Sequence, residues 1–302
     1  MSRSQTLAAP TAQVRAPGRV ADFLTLTKPR VVLMILVTTL VGFYLGEGSL
    51  ADPWPLLALL AGTALAAGGT LALNQYLERD VDACMARTCQ RPLPSGRMRP
   101  GEALLFGAAL VLGGLTILGA VVGGTACLVT AFIAGSYLFA YTPLKRRSPL
   151  CILVGAVPGA LPPVTGWVAA RGDLGTGAWV LFGLLFLWQL PHTLAIATLH
   201  RRDYAQAGLK LSAPGDVDGG TTGRRAVADC VALLLMGIVP ALCGMAGPLY
   251  LTGAVVLGAV LVSCAMGLAE TRSLADARRL LFGTIVYLPA LLTLLALDRI
   301  PS

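Results

Sequence analysis

The sequence predicts an all-α integral membrane protein, a bundle of about nine transmembrane helices around a central cavity open to the cytoplasmic face. Three observations predict the helical membrane class. Of 302 residues, 56% are hydrophobic and 13% charged, with a mean hydropathy of +0.75, whereas typical soluble chains are about one quarter charged. Long uncharged stretches recur along the whole chain, each near the roughly 20 residues a helix needs to cross a bilayer. The alternating ten-residue segments of a membrane β-barrel are absent. Backbone in lipid must satisfy its own hydrogen bonds, so the stretches are helices.

In chain order, residues 1–22 contain Ala, Ser and Arg, carry no acid before Asp22 and lack the apolar core of a secretory signal. They are expected to form a disordered cytoplasmic tail ahead of a single polytopic domain over 23–299. Pro29, in Thr27-Lys28-Pro29-Arg30, suits the first turn of the helix that follows. The spans are expected near 31–49, 54–74, 101–121, 123–141, 149–169, 177–199, 226–246, 248–269 and 279–297. On that map 21 of the 23 Lys and Arg residues fall on one face, with only Arg171 and Arg299 opposite. By the positive-inside rule that face is cytoplasmic, or matrix in a mitochondrion, and the N-terminus lies on it. The net charge of +8 is therefore topology and a candidate anion site, and nucleic acid is excluded as a partner. The seven cysteines lie mostly in or beside apolar spans with no C-x-x-C spacing, as small packing residues do.

Ionisable groups are costly in membranes, so their placement is informative. The long cytoplasmic connections, 75–100 and 200–225, hold most of them. Asn74, Glu78 and Asp82 are spaced i, i+4, i+8; if the second helix continues past the membrane surface they form one stripe. Such oxygen donors at the membrane edge suit Mg²⁺, which keeps substrate phosphate oxygens among its ligands. Asp80 is off the stripe, left to solvent or to Arg79 or Arg87. Arg87 and Arg91 follow, and guanidinium groups recognise phosphate through forked hydrogen bonds. A solvated loop with internal salt bridges is the alternative for this segment alone. Arg201-Arg202-Asp203-Tyr204 and Tyr141-Thr-Pro-Leu-Lys145-Arg146 bring similar groups to the same face, which favours a metal–diphosphate site.

Inside the sixth span stands Trp188-Gln189-Leu-Pro191-His192. Gln189 and His192 are expected to share a helix face, with Trp188 four residues before His192. His192 lies about 12 Å below the cytoplasmic end at 1.5 Å per residue. An interhelical hydrogen bond is the alternative role for such a histidine, and His200 is read as interfacial. Pro158, Pro162 and Pro163 make the fifth span unsuited to a straight lipid-facing helix, so it is expected to line the cavity.

Asn74-x-x-x-Glu78-x-x-x-Asp82 followed by Arg87-Thr88-x-x-Arg91-Pro92-Leu93 resembles the first motif of the intramembrane aromatic prenyltransferases (UbiA-type). With Arg79-Asp80-Val81-Asp82 and Met85 it is similar to their protohaem IX farnesyltransferase, or haem O synthase, branch. Leu26-Thr27-Lys28-Pro29-Arg30, Tyr141-Thr142-Pro143-Leu144-Lys145-Arg146 and Trp188-Gln189-Leu190-Pro191-His192 agree, and Asp203-Tyr204-x-x-Ala207-Gly208 supplies the second acidic region. The likeness runs from about residue 22 to 211. Glu78 replaces the family's usual Asp, Ala207 stands where hydroxybenzoate-prenylating members have an acid, and the run after Gly208 departs from the branch.

The resemblance implies farnesyl transfer from farnesyl diphosphate to a vinyl group of haem B with addition of water, giving haem O and diphosphate. It implies Mg²⁺ on Asn74, Glu78, Asp82 and Asp203, and diphosphate on Arg87, Arg91, Lys145 and Arg146. It places haem against His192, Gln189 and Trp188, with His192 as iron ligand or orienting group. It makes the lipid bilayer of the bacterial inner membrane the setting, and a haem A synthase or oxidase assembly factor a candidate partner. The alternatives are a quinone precursor or other aromatic acceptor at the same metal site, or a cation-coupled transporter. Edge carboxylates and the lack of a clear repeat argue against the transporter.

Overall fold

A computed structural model describes residues 18–46, 52–211, 216 and 219–300. The described residues are helical throughout, apart from turns and one isolated bridge between Ala246 and Arg299. Eight helices are long and apolar enough to cross a membrane, and a ninth span is formed by α1 (Arg19–Thr27) and α2 (Pro29–Leu45), bent by 42° at Lys28. The count of about nine holds. The expected tail does not run to residue 22. Residues 1–17 lie outside the described residues, but α1 starts at Arg19, because Asp22 is buried against Arg97 and Leu26 is fully buried.

Helix α3 (Pro53–Ala83) starts at an Asp52 cap, whose carboxylate accepts from the Trp54 amide, with Pro53 at its first position. At 31 residues it is about 46 Å long, more than the roughly 30 Å hydrocarbon core. Its last turns therefore leave the membrane carrying the Asn74–Asp82 stripe. Helix α4 (Pro100–Ile117) continues as a π-helical turn over Leu118–Val122, and α5 (Gly124–Gly135) continues through a second one, Ser136–Tyr141, into α6 (Thr142–Leu144).

The fifth span is broken at Leu161 into α7 (Cys151–Ala160) and α8 (Pro162–Arg171). It is the most buried of the eight long spans, in keeping with a span that is not lipid-facing. Helix α8 lies directly on α2: a methyl added at Gly42 would overlap the Pro163 carbonyl, and one at Gly166 the Thr39 carbonyl. Such close backbone approach is how small residues hold membrane helices together. Helix α9 (Thr176–Leu199) is the hub, packed by α7, α8, α11 (Gly220–Leu242) and α13 (Leu274–Leu297). A short α10 (Arg201–Gln206) follows it, and α12 (Pro248–Thr271) packs between α11 and α13. The main apolar core runs through α7 to α13. A smaller one (Leu26, Ala72, Leu93, Met98 and Ala103) binds α1 and the 84–99 connection to α3 and α4.

Candidate active site

The end of α3 presents its polar stripe among cations. Asp82, 2% exposed, accepts from Arg91 Nη1 at 2.6 Å. Glu78 accepts from Lys145 Nζ, at the end of α6, at 2.8 and 3.1 Å. Desolvation works against the Lys145 ammonium, but the Tyr141 and Glu78 oxygens beside it outweigh this and hold its pKa above the usual lysine range. Lys28, at the α1–α2 break, feels Arg91, Lys145, Glu78 and Asp82, and its ammonium makes no hydrogen bond or direct ion pair among the described residues. Three cations thus face two carboxylates, which leaves a net positive centre.

Asn74 completes the stripe. Its Nδ2 donates to Thr142 Oγ1 at 3.0 Å, and the Thr142 hydroxyl donates to the Tyr137 carbonyl at 2.8 Å. The threonine proton being committed, the amide is fixed with its nitrogen toward Thr142, and Asn74 Oδ1 has no hydrogen-bond partner among the described residues. The π-helical turn over Ser136–Tyr141 creates this arrangement. It sets Tyr137 beside Tyr141, ring centroids 5.1 Å apart and tilted by 53°, and puts Tyr141 under Lys145 Nζ at 4.4 Å. Helix bulges of this kind recur at functional sites.

The 84–99 connection is folded rather than splayed. Thr88 Oγ1 donates to the Asp82 carbonyl, Met85, Leu93 and Met98 are buried, and Arg97 links Asp22 to Ser95 and the Gln90 carbonyl. The expected convergence of three connecting segments is present in the contacts. Arg87 lies over the Tyr204 ring at 6.0 Å, and the Lys210 amide donates to the Lys145 carbonyl. The expected residues do not all meet at one point, however. Arg146 is exposed, Arg87 reaches Tyr204 rather than a carboxylate, and Asp203 stands 4.0 Å from His200. No three His, Cys, Asp or Glu side chains among the described residues are gathered tightly enough to hold a metal. Asp80 is exposed beside Arg79.

Deeper in the membrane, Trp188 and His192 stack at 4.8 Å and 20°. Both turn to α13, where Trp188 Nε1 donates to the Thr284 carbonyl at 2.8 Å and His192 Nδ1 lies 2.9 Å from Thr284 Oγ1. Gln189 does not share their surface. Its amide donates to the Ala156 and Leu185 carbonyls and packs against Gly159 of α7. The 60° that separates positions three apart on a helix is enough, on a hub helix, to reach a different neighbour.

A profile of the UbiA prenyltransferase family matches residues 35–287. The chain belongs to the UbiA prenyltransferase family. It is 44% identical over 288 residues to the protoheme IX farnesyltransferase of Solibacter usitatus (strain Ellin6076), covering 92% of this chain and 98% of that one. It is 41% identical over 288 residues to the protein of the same name from Myxococcus xanthus (strain DK1622), covering 94% and 97%. A solved digeranylgeranylglyceryl phosphate synthase structure superposes with a TM-score of 0.77 at 15% identity, covering 92% of this chain and 98% of that one. A UbiA homolog from Archaeoglobus fulgidus bound to GPP and Mg²⁺ superposes at 0.63, with 15% identity and coverage of 91% and 99%. At these identities the two structures establish a UbiA fold.

The donor chemistry of this UbiA stripe fits a hard cation: an oriented amide oxygen without a partner, and two carboxylates one and two turns further on. Both carboxylates are held by cations, so a divalent ion and a diphosphate would together replace those pairings. Two contributors escape sequence reasoning. Lys28 is visible only as part of Lys28-Pro29, and nothing local signals its left-handed backbone (φ 48°). Thr284 carries no signal, because its partner His192 lies 92 positions away.

Proposed function

We propose that this chain transfers the farnesyl group of farnesyl diphosphate to a vinyl group of haem B. In this reaction the C1–oxygen bond of the diphosphate ester breaks and C1 bonds to the vinyl terminus. Water adds its hydroxyl to the inner vinyl carbon and releases a proton, giving haem O and diphosphate. The observation that carries this reading is identity of 38–44% to relatives named protoheme IX farnesyltransferase, mostly over more than nine-tenths of the chain.

Lys28, Arg91 and Lys145 supply the positive field toward which negative charge develops as the ester bond breaks. Preorganised cations are worth most where water is excluded. Arg91 and Lys145 each exchange a carboxylate for diphosphate oxygens, with Arg87 adding charge at the rim. Asn74, Glu78 and Asp82, with Asp203 from the second connection, would hold Mg²⁺, which neutralises charge on the leaving diphosphate. The allylic cation must be kept from water until the vinyl group attacks it, and the apolar interior below the stripe supplies that protection. Trp188 and His192 are the acceptor-facing residues of this reading, while Gln189 positions α9 on α7. The protein acts in the bacterial cytoplasmic membrane with its N-terminus inside, as the one-sided Lys and Arg distribution supports, and the chain from α1 onward forms one catalytic unit.

The test uses purified protein in detergent with Mg²⁺, farnesyl diphosphate and haem B, and mass spectrometry of the extracted porphyrin. The expected product is heavier by one farnesyl group and one hydroxyl and is lost in Asp82→Ala. Unmodified haem, with farnesyl carried instead to a quinone precursor, sinks the haem reading and leaves prenyl transfer standing.

A further inference from the structure

With His192 expected to face the haem iron, we propose that Thr284 of α13 is the positioning residue that fixes its tautomer and leaves Nε2, rather than Nδ1, free for that contact. The proposal rests on the reading of haem as acceptor. It starts from a count of protons. Thr284 has one hydroxyl proton and donates it to the Leu281 carbonyl at 2.6 Å. Its contact with His192 Nδ1 at 2.9 Å can then exist only if Nδ1 carries the proton and Thr284 Oγ1 accepts it. A neutral imidazole protonated at Nδ1 has its lone pair on Nε2. Nε2 has no hydrogen-bond partner among the described residues, and His192 is only partly buried on a helix packed on most sides by its neighbours.

Trp188 braces the same geometry from a second direction. Its ring stacks on the imidazole at 4.8 Å, and its Nε1–H is tied to the Thr284 backbone carbonyl. Thr284 is fully buried, so one residue of α13 holds both rings of α9 by its side chain and its main chain. The imidazole therefore has a fixed plane, a fixed tautomer and one unused nitrogen. This is the arrangement by which proteins prepare histidine as a metal ligand: the second nitrogen donates to an outer partner, which fixes the tautomer and raises ligand basicity. A histidine serving only to join two helices would need the Nδ1 bond but not a stacked brace and an unpartnered Nε2.

The experiment adds haem B to the full-length protein in detergent and follows its optical and resonance Raman spectra in the ferrous state. Wild type is expected to show a histidine-ligated iron, and His192→Ala to lose that signature. His192→Gly should regain it with free imidazole, which covers any folding defect of the alanine variant. Thr284→Val keeps the shape and removes the acceptor; the iron–histidine stretch should fall and haem affinity drop roughly 10- to 100-fold. Thr284→Ser should restore both. An unchanged haem spectrum in His192→Ala, with farnesylated haem still produced, overturns this proposal and leaves the acceptor reading intact. A wild type that binds farnesyl diphosphate but no haem overturns both. Equal spectra in Thr284→Val and wild type remove Thr284 from the positioning role.

Discussion

The C-terminal end of α3 and the interior cluster on α9 treat polar groups in opposite ways. At the rim, charges are gathered in excess: Glu78 and Asp82 face Lys145, Arg91 and the directly unpaired Lys28. In the interior, Trp188, His192 and Thr284 satisfy one another by neutral hydrogen bonds between helices, and a single nitrogen remains over. The depth of each site explains the difference. Near the interface, ions can be held in partly hydrated pairs and released to a charged ligand. In hydrocarbon an unpaired charge is prohibitive, so recognition falls to neutral groups of fixed orientation. One chain can therefore hold a diphosphate and an apolar acceptor at two levels without exposing either to the other's environment.

The largest expected effect breaks the rim. Asp82→Ala removes the most buried carboxylate of the stripe and leaves Arg91 without its partner. Turnover measured with saturating substrates should fall at least about 100-fold, whereas a fall of less than about fivefold would show that the stripe is peripheral to the chemistry. Next, Lys145→Met strands Glu78 in a site where both side chains are mostly buried. Thermal unfolding in detergent should show a loss of roughly 3 kcal/mol. The double variant Glu78→Gln/Lys145→Met sharpens the comparison: it should recover much of that stability while remaining inactive, because the pair is needed for ligand exchange rather than for folding. Recovery of activity along with stability would make the pair purely structural.

Smaller effects are expected away from the rim. Gly166→Ala pushes α8 off the Thr39 carbonyl of α2 and should cost about 1–3 kcal/mol in the same unfolding assay, with KM for farnesyl diphosphate little changed. Trp188→Phe keeps a ring over His192 but deletes the bond to the Thr284 carbonyl. A loss of about 1 kcal/mol is expected, with a modest reduction in haem affinity and none in farnesyl diphosphate affinity. If instead farnesyl diphosphate binding suffered most, the two levels would not be separable.

Much of the rim was legible because its parts are local. Asn74, Glu78 and Asp82 fall on one face through helical periodicity alone, and the 31-residue length of α3 carries that face beyond the membrane. The prolines at 158, 162 and 163 argued against a straight, lipid-facing fifth span, and the structure divides it at Leu161. Less legible was how the groups pair. Lys145 is 67 positions from Glu78, and Arg91 reaches Asp82 only because the 84–99 connection folds back on a core of Leu93 and Met98. The expected tail stopped short for a similar reason: Asp22 has its partner 75 positions away, in Arg97.

By itself the sequence determined the solvent of this protein, its helix count, the sidedness of its charge and the oxygen stripe. Each follows from composition or from a period within one segment. Only the tertiary structure decided that Lys28 enters the site from a left-handed turn, that Gln189 faces α7, and that Thr284 commits His192 to one tautomer. Those outcomes depend on which helices become neighbours, which packing between distant segments selects and no local pattern encodes.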